Sequence, residues 1–461
     1  MAAANRFPPG PKPGFFDWSL ARRLQNERLE FPTELARTYG DLAHFRLGPV
    51  HLYFVNHPDL VKEVLITRGK NFKKLPRLIK ALSQVDGNGL VTSDGDFWLR
   101  QRRLVQPAFS LKRFDGYAKT VVDCAQQTVD SWLPGSQIDV LREMRGLALA
   151  IVARTLFGAE VSDTEGTLGS ATETISEIVS RETGRLIQWP QWVPIADNRR
   201  KRAAILVVDR VIRGIIRERR VSGEDRGDLL SMLLAAVDEE GDGTRMTDEQ
   251  VRDEVITLFN AGHDTTASSL GWTWYLLATH PDVASRIRDE VRSVVQGRPA
   301  TYADLPALAY TTQVVKESMR LYPSTWALIP RVARQPVTIG GYELPKGAWV
   351  YIYPWVLHRD PRFFPEPERF DPDRFAPDRA DSIPQHAYIP FGAGPHVCIG
   401  NTFAMMEMTL ALATIVPRCR LTLPPDHPPV IPDAMIAIRP RDGLTMRVEP
   451  QVEASLATSA L

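Results

Sequence analysis

The chain has 461 residues and a formal net charge of +1, and 24% of its residues are charged. This balance excludes the strongly basic surface of a nucleic-acid-binding protein and the acidic composition of a solvating tail. The three cysteines, Cys124, Cys398 and Cys419, are an odd number at wide spacing. Such a pattern argues against a disulfide framework and for a reducing compartment.

The termini and the spacing of apolar residues set the expected location and domain count. The N-terminus has no charged segment followed by an apolar one, and no run approaches the roughly 18 apolar residues of a membrane span. We therefore expect a cytoplasmic protein with no membrane anchor and no nucleic-acid partner. No stretch marks a long linker, so we predict one domain over residues 1–461, with a proline-rich segment at 1–14 and a loose tail at 454–461.

The first hundred residues alternate between regular and irregular patterns. Residues 20–39 predict one amphipathic helix that ends at Gly40, residues 42–55 predict a β-hairpin, and residues 56–68 predict a second helix. Residues 71–92 follow no regular pattern. An irregular segment of this length inside a compact protein is expected to be functional.

The rest of the pattern predicts a mainly α-helical protein with a minor β region. A helix is expected to begin at Asp94, and Thr247 with Gln250 is typical of the capping residues that open a helix. The other predicted helices are 116–132, 140–157, 165–186, 199–220, 248–279, 281–295, 308–321 and 401–416, with short strands in 337–353 and 420–448 and an ordered irregular tract at 361–390.

A tight loop at residues 391–400 carries one cysteine, Cys398, directly before the predicted helix 401–416. The positive end of a helix dipole and its unpaired amides favour thiolate, the form that binds a soft metal, and a thiolate ligand of haem iron is one such use. Most buried cysteines are inert, but an inert one would not need the clearance that Gly394 and Gly400 provide. Zinc would need further Cys or His ligands at short spacing, and no second cysteine lies in the loop.

Two further patterns each allow a functional and a purely structural interpretation. Trp98 and Arg102 lie four residues apart, so an indole N–H and a guanidinium share one helical face that suits a carboxylate, although a packed Trp with Arg at the rim fits equally well. Glu317 and Arg320 are spaced as an ion pair that, by itself, is most simply a surface pair.

The long helix contains the sequence Ala-Gly-His-Asp-Thr-Thr at residues 261–266. Glycine is costly inside a helix, and Asp and Thr side chains compete for its backbone hydrogen bonds. We therefore expect the helix to bend or open there for a functional reason. The alternative is that the threonine hydroxyls bond back to carbonyls one turn earlier.

The cysteine loop resembles the haem-thiolate loop of the cytochrome P450 superfamily, because Phe391, Gly394, Cys398 and Gly400 match that motif position by position. Four other family-like signals occur in the family's order, so the resemblance covers nearly the whole chain. It implies the cytochrome P450 fold, with haem between the long oxygen-binding helix and the helix after the cysteine loop. The other signals are Trp98 with Arg102, residues 261–266, Glu317 with Arg320, and residues 367–370.

The resemblance also assigns roles to individual residues. It implies that Cys398 is the iron ligand, that Asp264 and Thr265 are the acid and alcohol that relay protons to bound dioxygen, and that Gly262 makes room for that ligand. It implies a structural lock of Glu317 and Arg320 with a later arginine, Arg369 or Arg374. The implied cofactor-binding residues, including four propionate ligands, are Trp98, Arg102, Ala261, Gly262, Arg331, Phe391, Gly394, His396, Cys398 and Gly400.

The implied activity is that of a haem-thiolate monooxygenase, which inserts one oxygen atom of O2 into a hydrophobic substrate such as a fatty acid, terpenoid or steroid. The implied cofactor is haem b, iron protoporphyrin IX. The proline-rich start resembles the hinge after the anchor of eukaryotic members, and its lack of an anchor resembles soluble bacterial relatives. The residues expected to line the substrate site are Phe72, Leu75, Leu78, Leu82, Leu90, Phe259, Trp326, Leu328 and Ile329.

We expect no flavin or iron–sulfur domain in this protein. With that expectation, the resemblance implies a monomer that takes electrons originating from NAD(P)H through a separate ferredoxin or flavodoxin and its reductase. Arg100, Arg103, Lys112 and Arg113 are candidate docking contacts, although ordinary exposed charge explains each as well. The alternative function is a haem-thiolate protein that is not a monooxygenase: a peroxygenase, an isomerase or a haem-binding sensor. The Asp264–Thr265 pair favours the monooxygenase.

Overall fold

The computed structural model of the protein describes residues 7–12, 18–158, 165–184, 190, 192–238, 241 and 243–450. These residues form a mainly helical structure with a minor β region, which confirms the predicted class. The predicted loose tail at 454–461 and part of the proline-rich segment lie outside the described residues. The α-helices are α1 (Ser19–Asn26), α2 (Glu30–Tyr39), α3 (Pro58–Lys62), α4 (Pro76–Asp86), α5 (Gly95–Val105), α6 (Phe114–Asp130), α7 (Val140–Phe157), α8 (Glu165–Gly184), α9 (Ala196–Ser222), α10 (Leu229–Ala235), α11 (Asp248–Thr279), α12 (Pro281–Val295), α13 (Ala309–Leu321), α14 (Pro354–Leu357), α15 (Pro377–Ala380) and α16 (Asn401–Ile415).

The strands form one five-stranded sheet, in the order β1-β2-β8-β5-β3, and smaller sheets of two or three strands. Within the large sheet β2 and β8 are parallel, and the other neighbours are antiparallel. The strands are β1 (Leu42–Leu47), β2 (Val50–Val55), β3 (Phe72–Lys74), β4 (Gln137–Asp139), β5 (Arg331–Ala333), β6 (Val337–Ile339), β7 (Tyr342–Leu344), β8 (Trp349–Ile352), β9 (Cys419–Thr422), β10 (Pro432–Ala434), β11 (Ile438–Pro440) and β12 (Thr445–Pro450).

The long helix α11 begins at the predicted capping residues. The hydroxyl of Thr247 accepts the backbone N–H of Gln250 at 3.2 Å, and the Gln250 side chain accepts the N–H of Thr247 at 3.0 Å. The helix then continues through residues 261–266, so the expected opening is absent there. The Thr265 hydroxyl donates back to the Ala261 carbonyl at 2.6 Å, as the alternative predicts, and such a bond often accompanies a bend.

Two other expectations about the first hundred residues are wrong. The predicted helix 20–39 is divided into α1 and α2, because Pro32 lies in the first turn of α2 and its ring disfavours a helix that continues back through Arg28. The segment 71–92 is not irregular, since it contains β3 and α4. Pro76 begins α4, and Gly87 ends it with φ +59°, a conformation that favours glycine.

The main hydrophobic core surrounds the second half of α11. Residues of α6, α7, α12, α13 and α16 pack against it, and Trp274 on α11 is buried within it. A second core joins the first half of α11 to α7, α8, α9 and α10. The space between α11, the start of α16 and the edge strand β3 is left open as a cavity, and the candidate site lies there.

Candidate active site

The cysteine loop closes on itself before it enters α16. The backbone N–H of Cys398 donates to the carbonyl of Phe391 at 2.9 Å, and that of Val397 donates to Gly394 at 3.0 Å. The Cys398 side chain is exposed to the cavity. Burial within the surrounding protein raises the pKa of its thiol, while the Gly400 N–H and Arg102 act in the opposite direction. Burial is the largest of these effects, so the pKa of the free thiol lies above its ordinary value.

The position of Gly394 requires glycine because of the surrounding backbone. This corrects the expectation that Gly394 provides clearance for the cofactor. The residue has φ +72°, and a Cβ atom built on it would overlap the carbonyl oxygen of Leu65. It does not line the cavity, whereas Gly400 and Phe391 do. A Cβ on Gly400 would lie at an ordinary 3.7 Å from the ring of Phe109.

The surroundings of Gly394 and Gly400 therefore predict different mutational effects. Gly394→Ala is expected to destabilise the loop by about 2 kcal/mol or more, because left-handed strain adds to a steric overlap. The loss of bound haem on mild heating, followed by absorption, measures the effect. Gly400→Ala is the matched control and should retain haem nearly as well as the natural protein; equal haem loss in both variants would contradict this account.

Four of the predicted cofactor-binding side chains meet on one wall of the cavity. The rings of Trp98 and His396 lie 3.9 Å apart between centroids. Arg102 Nη1 donates to the Val397 carbonyl at 2.7 Å, and Arg331 Nη1 donates to the Ile329 carbonyl at 3.0 Å. These two guanidinium groups thus bond to neutral backbone oxygens, and both line the cavity.

The electrostatics of this wall favour an anionic ligand. Burial lowers the pKa of Arg331 and of Arg102. Burial, together with Lys74, Arg331 and Arg102, lowers the pKa of His396 to about 3. Cations are buried here without a matching carboxylate within ion-pair distance among the described residues, and such charges are costly unless they are paired. Two carboxylates of a ligand would satisfy them.

Sequence reasoning missed Lys74, which also faces this wall. Its ammonium group donates to the carbonyls of Leu90, Val91 and Ser93 at 2.8–3.1 Å. Burial lowers its pKa to about 7. No local signal could have identified this residue, because it reaches the cavity only through the pairing of β3 with β5.

Asp264 is held by two helices on the opposite side of the cavity. One of its carboxylate oxygens lies 3.6 Å from Arg145 on α7, and the other accepts the hydroxyl of Ser176 on α8 at 3.2 Å. Asp264, Thr265 and Ala261 all line the cavity. Sequence reasoning missed Arg145 and Ser176, since only the packing of α7 and α8 on α11 brings them together.

Helix packing leaves little room for a side chain at Gly262. A Cβ atom on it would lie 3.2 Å from Val152 Cγ2 on α7, which is tighter than an ordinary contact. The residue also lines the cavity, so its role in making room for a small ligand stays a prediction.

The cavity has a volume of about 1170 Å³, above the roughly 300–1,000 Å³ of a typical small-molecule pocket. Two predicted lining residues do not face it. Phe72 packs in the core beneath the large sheet, and Phe259 is fully buried beside His263, because this side of α11 faces the second core. Seven predicted lining residues do face the cavity: Leu75, Leu78, Leu82, Leu90, Trp326, Leu328 and Ile329.

Glu317 and Arg320 form a buried network rather than a surface pair. Both side chains have 0% exposure, and Arg320 Nε and Nη2 donate to the two Glu317 oxygens at 2.7 and 2.8 Å. The later arginine is Arg374, whose Nε lies 3.3 Å from Glu317. The side chain of Arg369 instead pairs with Glu366 at the surface, and only its carbonyl accepts from Arg320. The predicted role of the Arg369 side chain is therefore wrong.

The donor set of the cavity fits haem better than a bare metal ion. The described residues contain no group of three or more His, Cys, Asp or Glu side chains that could hold a metal. One thiol faces a space walled by apolar side chains and buried cations. The Cys398 thiolate would bind the iron of an iron porphyrin, and the buried cations would pair with its propionates, so the residues present fit this group.

A family model described as Cytochrome P450 matches residues 8–446. The match spans nearly the whole chain and agrees with the fold and with the site around Cys398, so the protein belongs to the cytochrome P450 family. A crystal structure of the cytochrome P450DA haem domain is similar, with a TM-score of 0.87 and 28% sequence identity, over 96% of this chain and 97% of that one.

Curated proteins from Streptomyces are similar over most of their length. Cyclooctatin synthase of Streptomyces melanosporofaciens is 40% identical, covering 92% of this chain and 90% of that protein. Cyclooctat-9-en-7-ol 5-monooxygenase of the same organism is 37% identical, covering 86% of each. Pentalenene oxygenase of Streptomyces avermitilis is 35% identical, covering 89% of each.

These similarities confirm the predicted family and the predicted activity. The protein is a haem monooxygenase, an oxidoreductase that uses haem iron, O2 and reducing equivalents from a redox partner and acts on a hydrophobic substrate. Within the described part of the chain, no helix combines the length and the apolar character needed to cross a membrane.

Proposed function

We propose that the protein oxidises a terpenoid. The observation that carries this proposal is the mainly apolar cavity that opens above Cys398 and is walled by bulky residues such as Leu78, Leu82 and Leu328. A cyclic hydrocarbon skeleton fills such a space and gains free energy in proportion to the apolar area that it removes from water. Similar proteins bear names of terpenoid-oxidising enzymes, among them pentalenene oxygenase, which supports this class over fatty acids and steroids.

A spectroscopic titration tests the substrate class. Polycyclic terpenes added to the ferric haem protein are expected to displace water from the iron and shift the Soret band at micromolar concentration. Fatty acids and steroids of similar size serve as comparisons. A shift with fatty acids or steroids and none with terpenes would overturn the proposed class while leaving the monooxygenase activity untouched.

In the proposed site, the Cys398 thiolate would hold the iron of haem b, and haem b would supply the activation of dioxygen. Arg102, Arg331, His396 and Trp98 would hold its propionates. The apolar wall above Cys398 excludes water and orients the substrate. The remaining task, delivery of protons to the cavity, falls to side chains of α11.

Asp264 and Thr265 are the proposed proton-delivering residues. The Asp264 carboxylate contacts Ser176 and Arg145, so it lies between the polar side chains of α7 and α8 and the cavity. The Thr265 hydroxyl already donates its hydrogen to the Ala261 carbonyl. The lone pairs of the Thr265 hydroxyl oxygen can therefore accept a hydrogen bond from a donor in the cavity. The acid takes up protons, and the alcohol orients their transfer.

Thr265→Ala is expected to uncouple electron consumption from product formation, because removal of the hydroxyl removes the oriented group in the cavity. The product formed per NAD(P)H oxidised should fall several-fold, and hydrogen peroxide release should rise. Thr265→Ser restores a hydroxyl and is the matched control, so it should recover most of the coupling. Fully coupled turnover by Thr265→Ala, without extra peroxide, would show that the residue has no such role.

Electrons are proposed to come from NAD(P)H through a reductase and a ferredoxin or flavodoxin that approaches a monomer on the Cys398 side. The candidate docking contacts are partly engaged within the chain: Arg100 and Arg103 lie within 4 Å of Asp238, and Arg113 donates to the Gly227 carbonyl. Lys112 is exposed. We also propose that the chain forms a single domain, which the extent of the family match supports. A reducing, cytoplasmic compartment is proposed as well, and the free thiols of all three cysteines support it.

A further inference from the structure

A carboxylate and an amide meet on one wall of the cavity, away from the cations that face the cysteine loop. Asp86 is the last residue of α4, and Asn260 lies on α11 one turn before Asp264. The Asn260 side-chain amide donates to Asp86 Oδ1 at 2.8 Å. Both residues line the cavity, and Asp86 is only 8% exposed.

Asp86 is not the only attachment of this segment to α11. Two carboxylates of α11 hold the loop after α4: Asp253 accepts the backbone N–H of Asn88 at 2.8 Å, and Glu254 accepts that of Leu90 at 3.1 Å. The end of α4 is satisfied by its own backbone, since the Gly87 N–H donates to the Ser83 carbonyl. The carboxylate of Asp86 is therefore one of three that join this segment to α11, and it is the one of the three that lines the cavity.

This charge is also incompletely satisfied. Of the described residues, only Asn260 hydrogen-bonds to the Asp86 carboxylate, so Oδ2 has no donor. The pKa of Asp86 is raised to about 6, because burial and the nearby Asp253 raise it by more than the Asn260 amide and Arg252 lower it. A buried carboxylate that accepts one hydrogen bond costs free energy unless a ligand supplies another donor.

The residues around Asp86 and Asn260 indicate which kind of ligand group would donate this hydrogen bond. The neighbouring cavity wall is apolar, with Leu82, Val85 and Leu258 beside the pair, so the body of the ligand is hydrocarbon. Arg77 lines the same cavity, and Arg252 is close enough to lower the pKa of Asp86, so both positive charges disfavour a cationic ligand group there. A neutral hydroxyl group donates to a carboxylate and accepts from an amide, so it matches both members of the pair.

We propose that Asp86 and Asn260 bind a hydroxyl group of the substrate, so that this enzyme oxidises a terpenoid alcohol rather than the parent hydrocarbon. The inference rests on the proposed function, because it concerns the same cavity. It also places the enzyme in a reaction sequence. A preceding step must install the hydroxyl, either by capture of water during cyclisation or by an earlier oxygenation.

Matched ligand pairs test the proposal on the haem-loaded protein. Three terpenes are compared with alcohols of the same or a closely related skeleton: cedrene with cedrol, abietadiene with abietadienol, and limonene with perillyl alcohol. Equilibrium dialysis with gas chromatography gives the dissociation constants without relying on turnover. The natural protein should bind at least one alcohol roughly tenfold or more tightly than its partner, the size expected for a hydrogen bond to a charged group.

Variants separate recognition of the hydroxyl from a structural role. Asp86→Ala is expected to bring the alcohol-to-hydrocarbon ratio close to one while leaving hydrocarbon affinity and thermal stability nearly unchanged. Asn260→Ala should reduce the ratio partly, because Asp86 loses its orienting donor, and it provides a second test if Asp86→Ala folds poorly. Glu254→Gln is the matched control: it alters a buried carboxyl group of α11 that does not line the cavity, and it should keep the full preference.

Three other results of these binding experiments would contradict a hydroxyl site at Asp86 and Asn260. If hydrocarbons bind and are oxidised but no alcohol binds more tightly, the hydroxyl site is wrong and the terpenoid function stands. A preference that survives in both Asp86→Ala and Asn260→Ala would likewise exclude this pair. If neither member of any pair binds and fatty acids or steroids bind instead, the terpenoid function itself fails and the hydroxyl site fails with it.

Discussion

Cys398→Ser is expected to abolish the strongly red-shifted Soret band of the reduced, carbon-monoxide-bound protein and all monooxygenase activity. Cys398 is the cysteine whose side chain faces the cavity, and thiolate ligation is what produces both the spectrum and the oxidising chemistry. A serine oxygen in its place is a harder and weaker ligand for the iron. Absorption spectra of the purified variant, with and without carbon monoxide, measure the effect directly.

The other two cysteines provide matched controls for this experiment. Cys124 and Cys419 are buried, and burial raises the pKa of their thiols to about 11 and about 12. Serine at either position should therefore leave the band in place, apart from some loss of stability. An unchanged band in Cys398→Ser, or its loss in Cys124→Ser, would remove Cys398 from the site.

Glu317→Ala is expected to lower the free energy of unfolding by about 3–5 kcal/mol, the range found when one partner of a buried ion pair is removed. The change would leave Arg320 and Arg374 buried without their shared carboxylate. It would also leave the Asp371 N–H, which donates to Glu317 at 2.9 Å, without an acceptor. Denaturant unfolding of the haem-loaded protein, or its failure to accumulate at 37 °C, measures this loss.

Arg369→Ala is the control that separates this network from its surroundings. The Arg369 side chain is 64% exposed and, among the described residues, forms an ion pair only with Glu366, and exposed pairs contribute little to stability. The backbone carbonyl of residue 369, which accepts a hydrogen bond from Arg320, remains in the variant. Stability comparable to the natural protein is expected, and a loss as large as that of Glu317→Ala would show that the Arg369 side chain does belong to the network.

Structural features that depend on residues close together in the chain were predicted correctly from the sequence. The cysteine loop and its position before α16 follow from glycines, a proline and a helix-forming run that are contiguous in the chain. The start of α11 follows from Thr247 and Gln250, which satisfy each other's backbone groups within one turn. Such interactions depend on residues a few positions apart, so the pattern contains both partners.

Features that depend on distant partners could not be predicted in this way. Arg369 and Arg374 are equally plausible partners for Glu317 until the path of residues 361–390 is known. Phe259 has the apolar character of a lining residue, but the packing of α7 and α9 on α11 decides which side faces the cavity.

By itself, the sequence determined the helical class, the cysteine loop, the capping of the long helix and the membership of a haem-thiolate family, because these rest on local backbone preferences and short motifs. Only the tertiary structure decided that Arg145 and Ser176 hold Asp264, that Lys74 joins the cationic wall, and that Asp86 meets Asn260. The physical reason is that burial and charge pairing arise between segments far apart in the chain. Asp86 and Asn260 are separated by 174 positions, and only the folded cavity brings them within hydrogen-bond distance.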